Sequence, residues 1–223
     1  MPSRPDPTAG QLIMPSTAPT AGGVRLREFR ATDAVMVQEL STDRYVPMTG
    51  SLDFKASLEQ ALAYIDRQHH RLTSGAGFSF CVADAQTDEP LGQAGLWLRE
   101  LAAGRASAGY AIAPSARGRR RGAEALAAIT TFGWSLDRLH RIELYIEPWN
   151  LASQRTAERA GYQREGLLRR HREIGVAAST CSCTQRPGRN AHETLINKLG
   201  SCRRREGLRR GSGPGLYWEV GVW

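Results

Sequence analysis

The stretch Ala113-Pro114-Ser115-Ala116-Arg117-Gly118-Arg119-Arg120-Arg121-Gly122-Ala123-Glu124-Ala125-Leu126 decides how the rest of this chain is read. Before it, Arg105 to Ile112 reads as a strand that ends at Pro114. After Gly118 the spacing turns helical, through Ala123, Leu126, Ala127, Ile129 and Thr130 to Phe132 and Trp134. A turn between a strand and a helix start is an anion site. The first helical N–H groups lack intrahelical acceptors, the helix dipole favours negative charge, and glycine lets the backbone approach a phosphate closely. Arg117, Arg119, Arg120 and Arg121 add charge-assisted hydrogen bonds. The same arginines would also suit a solvated first turn, but cations are disfavoured at a helix N-terminus unless an anion is bound there, which favours a polyphosphate ligand. Neither Gly-Lys-Ser/Thr nor Gly-x-Gly-x-x-Gly is present in the turn, so it is neither a P-loop nor a dinucleotide fingerprint.

Upstream, Val24, Leu26 and Phe29 approximate strand alternation, and Thr32 and Asp33 stand where a cap is expected before a helix bearing Val35, Met36, Val37 and Leu40. Leu58, Leu62 and Ile65 place a second helix from about Ser57 to Leu72. Phe78, Phe80 and Val82, then Ala94, Leu96 and Leu98, alternate on either side of Pro90 and Gly92 and predict a hairpin. Downstream come a strand Ile142 to Ile146, a short helix Ser153 to Ala160 stopped by Gly161, and a strand Gln163 to Ile174. The order is strand, two helices, three strands, helix, strand, helix, strand. That is an α/β fold with a mixed sheet.

The turn resembles the acetyl-CoA pyrophosphate signature Gln/Arg-x-x-Gly-x-Gly/Ala of the GNAT superfamily of N-acetyltransferases, with Arg117 first, Gly122 last and Arg120 in place of the middle glycine. The resemblance continues through His140-Arg141-Ile142-Glu143-Leu144-Tyr145, Asn150-Leu151-Ala152-Ser153 and Ala157 to Gly166. It is greatest to the branch that contains ribosomal-protein N-terminal (alanine/serine) acetyltransferases, and covers about Val24 to Gly175.

This resemblance implies a three-layer fold with a mixed, mostly antiparallel central sheet, splayed between its fourth and fifth strands to admit pantetheine. Splaying leaves backbone groups for the pantetheine amides. It also implies acetyl-CoA as acetyl donor and a primary amine as acceptor, a protein N-terminus or a small molecule. Cofactor contacts fall on Ile112, Ala113, Arg117, Gly118, Arg119, Arg120, Gly122, Ala123, Asn150 and Ser153, with the N–H of Ile112 or Ala113 facing the thioester oxygen. Ser153 is the candidate general acid, although a Ser at that place would serve equally as a helix N-cap. Glu143 is the candidate base, with Glu147 beside it in sequence. Cys81, alone on an apolar strand, reads as core rather than as a nucleophile, so transfer is expected to be direct. His69 and His70 read as a polar helix end, and Cys181, Cys183 and His192 lack a zinc spacing, so no metal is expected.

The chain of 223 residues suits one domain with appendages, and its 41% hydrophobic and 23% charged content is that of a globular protein. No apolar run reaches the roughly 20 residues that span a bilayer. Residues 1–23, rich in Pro without the pattern of a secretory signal, read as a disordered leader, followed by an acetyltransferase domain over 24–175. A lone cysteine in the body suits a cytoplasmic protein. Eight Lys or Arg against three acids fall after Gly175, so most of the net charge of +8 belongs to a basic tail, 176–223. With 7% aromatic residues and no stacking motif among the arginines, a nucleic-acid module is the weaker reading. A catalytically impaired relative is another alternative.

The tail also lacks the apolar strand that the resemblance calls for at its end. Read one frame over, codons for Val176 to Thr184 permit an Asp-Met-Leu-Val-His/Tyr type of ending. Two readings of the tail therefore stand, a frameshift near Gly175 with loss of the closing strand, or a genuine basic extension.

Overall fold

The computed structural model describes residues 12–174 and 177–187, and side chains through His171. Among the described residues eight strands form one sheet: β1 (Thr20–Ala21), β2 (Val24–Arg27), β3 (Gly77–Asp84), β4 (Pro90–Trp97), β5 (Arg105–Ile112), β6 (Arg141–Ile146), β7 (Gln163–Ile174) and β8 (Ala177–Pro187), in the order β1-β2-β3-β4-β5-β6-β8-β7. Four helices cover it: α1 (Ala34–Ser41), α2 (Leu58–Thr73), α3 (Arg121–Gly133) and α4 (Leu151–Arg159). Every ladder is antiparallel except β5–β6, which is parallel.

Strand alternation makes the three layers. On β3, Phe78, Phe80 and Val82 point into a core shared with Ala125, Leu126, Ile129 and Phe132 of α3, while Cys81 points into a second core with Val37 and Leu40 of α1 and Ala61 and Ile65 of α2. Phe132 is set edge-on against Phe78 and Phe80, with ring centroids 4.8 and 5.5 Å apart. The α2 start carries a capping box. Ser57 Oγ accepts the Gln60 N–H at 3.2 Å and Gln60 Oε1 accepts the Ser57 N–H at 2.8 Å.

Asp33 departs from its expected role. Instead of capping α1 with its side chain, it accepts the Arg30 N–H at 2.8 Å and takes Arg27 Nη1 and Nη2 at 2.8 and 2.9 Å. A carboxylate that is 1% exposed needs a cation, and Arg27 on β2 supplies it.

Leu12, Met14 and Ala21, in the stretch read as a leader, pack against the core, and β1 pairs with β2. Within the stretch read as an atypical tail, β8 lies between β6 and β7 and pairs with both. Ladder hydrogen bonds come from the main chain, so a sequence poor in large apolar residues can still occupy the slot. Residues 1–11 and 188–223 lie outside the described residues.

Candidate active site

The β5–β6 ladder holds three pairs, Arg105↔Arg141, Ala106↔Ile142 and Ser107↔Glu143, and then stops. Beyond it β5 stays with β4 as far as Ile112↔Gly92, and β6 stays with β8 as far as Ile146↔Ser182. The two strands therefore part, and a cleft of about 590 Å3 opens between them. This is the splay expected between the fourth and fifth strands, displaced by one in the numbering because β1 adds a strand.

Donor direction follows from the ladder. Ala113 N–H donates to Leu91 O at 2.8 Å. Alternation then turns the N–H groups of Ala113 and Ala111 toward β4, and those of Ile112 and Tyr110 toward the cleft. The Ile112 N–H, one of the two expected donors, therefore faces the cleft, whereas the Ala113 N–H is taken by Leu91 and its methyl is buried in the core under α1 and α2.

The phosphate turn takes a left-handed residue twice, at Gly118 (φ 81°) and at Arg120 (φ 62°), immediately before α3 begins. Arg120 thus holds a left-handed conformation that glycine adopts freely, at a cost of about 1–2 kcal/mol for an L-residue. Gly122 is required by closeness: a Cβ there would lie 2.8 Å from Cε2 of Tyr110. Arg117, Gly118, Arg120, Gly122 and Ala123 line the cleft. Arg119, also expected to contact the cofactor, is exposed and lies outside the lining. Two of the arginines are anchored by carboxylates. Arg117 reaches Asp43 Oδ2 at 2.7 Å and Ile112 O at 2.9 Å, and Arg121 reaches Asp84 at 2.7 Å and Glu124 at 3.1 Å. Burial works against ionisation of Asp43, but the Tyr45 and Val46 N–H groups and Arg117 outweigh it and hold the carboxyl below its usual range.

Across the cleft, Asn150 and not Ser153 caps α4. Asn150 Oδ1 accepts the Ser153 N–H at 3.1 Å. The helix accordingly starts at Leu151, two residues earlier than the spacing suggests, and Ser153 lies in its first turn with its hydroxyl 3.2 Å from the Tyr110 phenol. Both Asn150 and Ser153 line the cleft. Sequence spacing missed Tyr110, which alternates along β5 like any partly buried strand residue.

Glu143 is corrected. It pairs with Ser107 at the last rung before the strands part, so it sits below the cleft and does not line it. Arg141 Nε and the Tyr145 hydroxyl, the latter at 2.6 Å, both donate to it. Burial opposes its charge, yet these bonds outweigh that and hold the carboxyl below its usual range, which makes it a weak base. Glu147 takes the position in the cleft. It follows β6, is 2% exposed, and accepts a hydrogen bond from the Tyr45 hydroxyl. Tyr45 packs edge-on against Trp149 with centroids 5.1 Å apart, and Trp149 is 65% exposed at the cleft mouth.

Cys81 is fully buried, and burial with Asp33 nearby pushes its thiol well up, so it is no acyl carrier. His69 Nε2 lies 3.0 Å from Phe29 O at the end of α2. Among the described residues no three His, Cys, Asp or Glu side chains gather as metal ligands, and no helix is long and apolar enough to cross a membrane. The side chains of Cys181, Cys183 and His192 lie outside the described ones.

A sheet parted between two parallel strands, an arginine-bearing turn feeding a helix N-terminus, and a hydroxyl opposite a backbone donor define a class of acyl-group transferases. Residues 24–163 match the acetyltransferase (GNAT) domain family, and the chain belongs to that family. The Bacillus licheniformis protein named "Uncharacterized N-acetyltransferase p20" is 27% identical over 65% of this chain and 81% of its own. Two solved structures share the fold. Mycobacterium smegmatis RimJ, in complex with CoA-disulfide, is 21% identical over 81% of this chain and 91% of its own, with a TM-score of 0.65. The ribosomal-protein-S5-alanine acetyltransferase of Vibrio fischeri is 16% identical over 78% and 98%, with a TM-score of 0.62.

Proposed function

We propose that this chain transfers the acetyl group of acetyl-CoA to a primary amine, either a protein N-terminal α-amine or a small-molecule amine, by direct attack on the thioester. The observation that carries the reading is the parting of β5 and β6 after Ser107↔Glu143, with the phosphate turn at one side of the gap and Ser153 at the other. Acetyl-CoA supplies the activated acyl group. Gly118, Arg120, Gly122 and Ala123 hold its phosphates, helped by the N-terminus of α3. Ile112 N–H donates to the carbonyl oxygen as negative charge develops there. Ser153, its capping duty taken by Asn150, returns a proton to the departing sulfur, and the Tyr110 phenol holds the hydroxyl in place.

Calorimetry with acetyl-CoA tests this on the whole chain beside the Arg117→Ala and Arg120→Ala variants. Micromolar binding by the wild type, weakened in both variants, is the expected result. A folded wild-type chain that binds no acetyl-CoA would point instead to an impaired relative.

A further inference from the structure

Gln93 places a buried carboxamide in the wall of the cleft. It stands in register between Cys81 on β3 and Ala111 on β5, both of which face the core under α1 and α2, so its side chain leaves the sheet on that face. Helices α3 and α4 pack on the opposite face. Gln93 is 5% exposed and lines the cleft.

The carboxamide is held at one end only. From α2, the buried Tyr64 hydroxyl donates to Gln93 Oε1. Burial pushes the Tyr64 phenol up to about 12, so it keeps its proton and remains a donor through the neutral range. With Oε1 fixed as the acceptor, Nε2 retains both of its N–H donors, and among the described residues nothing accepts from them. Leaving a buried donor unmade is costly, and one in the wall of a substrate cleft is satisfied when the ligand brings an acceptor atom.

The geometry points to Gln93 as a specificity-determining residue, whose Nε2 donates to a carbonyl oxygen carried by the amine substrate on the carbon next to the amine. The assignment rests on the acetyl-transfer reading and goes beyond it by naming a side chain that sorts one amine from another. Its place in the sheet selects the substrate over the cofactor as the partner. The phosphate turn and Ser153 belong to α3 and α4, whereas Gln93 lies one strand back from the gap, on the α1–α2 face. Its chemistry selects the group that is read. N–H donors repel an ammonium and attract an oxygen, so the carboxamide recognises the carbonyl and not the amine itself. A plain alkylamine leaves those donors buried and unmade, and is disfavoured for that reason.

The test compares the whole wild-type chain with Gln93→Leu and with the paired Gln93→Leu, Tyr64→Phe variant. The paired variant replaces both partners by apolar groups, so no buried hydroxyl is stranded. Each protein is assayed with alaninamide and with isopropylamine, which lacks the carbonyl. Expressing kcat/KM per unprotonated amine removes the difference in protonation between the two. The wild type is expected to prefer alaninamide by about 10-fold or more, and both variants should lose most of that preference. Acetyl-CoA affinity, measured by calorimetry, should stay within about twofold in the variants, which also shows that they are folded. A general loss of structure would lower both activities together and leave their ratio unchanged. A preference that survives in the paired variant, or a wild type that binds acetyl-CoA and takes both amines alike or neither, overturns the assignment. Failure of the wild type to bind acetyl-CoA would instead strike the acetyl-transfer reading.

Discussion

Asn150 Oδ1 accepts the backbone N–H of Ser153 at 3.1 Å, so the first residue of the Asn-x-x-Ser pair caps α4 and the last turns its hydroxyl to Tyr110. The division of labour separates two substitutions. Ser153→Ala should lower kcat by about 100-fold or more while leaving thermal stability nearly unchanged, because it removes a proton donor and no cap. Asn150→Ala should lower stability by about 1 kcal/mol and reduce kcat as well, since the turn that presents Ser153 loosens. Steady-state kinetics beside thermal melts check both, and a Ser153→Ala enzyme with wild-type kcat would remove Ser153 from the mechanism.

Arg120 sits at φ 62° where a glycine would be unstrained. Arg120→Gly relieves about 1–2 kcal/mol of left-handed strain and gives back about 0.4–1 kcal/mol through the freer unfolded chain. A net gain of up to about 1.6 kcal/mol in urea unfolding is expected, together with weaker acetyl-CoA binding from the lost guanidinium. Tighter binding would show that the backbone path matters more than the charge.

Acid should unfold the protein through its carboxylates. Burial opposes ionisation of Glu143 and Asp33, but hydrogen bonds outweigh it in both, from Tyr145 and Arg141 to Glu143 and from Arg27 and Arg30 to Asp33. Folded values lie below the ordinary 4.5 and 3.8, so these stabilising contributions are complete above that range and are lost as pH falls through the folded values. Stability should therefore begin to drop below about pH 4.5. Asp33→Asn should cost about 2–3 kcal/mol at pH 7, less than for a fully orphaned buried partner because Asp88 still accepts Arg27 Nε at 2.8 Å. The variant should also lose less on acidification than the wild type, measured by denaturant titration at pH 7 and pH 3.5.

Chain length around β8 gives a further check. A chain ended at Pro187 retains every described strand and should fold and bind acetyl-CoA. One ended at Gly175 loses β8, and with it the partner of both β6 and β7, and should not fold. Nucleotide sequence through codon 175, read from independent copies of the gene, tests the frame. A shift of reading frame predicts an added or missing base there, and an unbroken frame makes the residues after Pro187 a genuine extension.

Periodicity located most of the elements because it is local. The hairpin of Phe78 to Leu98, the amphipathic α2 and the strand–turn–helix around Gly118 each announce themselves within a dozen residues. The phosphate turn was legible for the same reason, being one continuous segment. The element limits were less so. Ser153 stood where a helix cap was expected, and only the backbone path at Leu151 gave that place to Asn150.

By itself, then, the sequence determined the α/β order, the arginine-rich turn between β5 and α3 and the pairing of Asn150 with Ser153, all of which depend on neighbours along the chain. The tertiary structure decided which carboxylate faces the cleft. Glu143 and Glu147 lie four residues apart and are chemically alike, but Glu143 falls at the last rung before the strands part and Glu147 beyond it. It also brought Tyr45 to Glu147, Tyr110 to Ser153 and Asp43 to Arg117 across separations of tens of residues. Those contacts arise from where the β5–β6 ladder ends, a property of two strands together that neither strand's sequence carries alone.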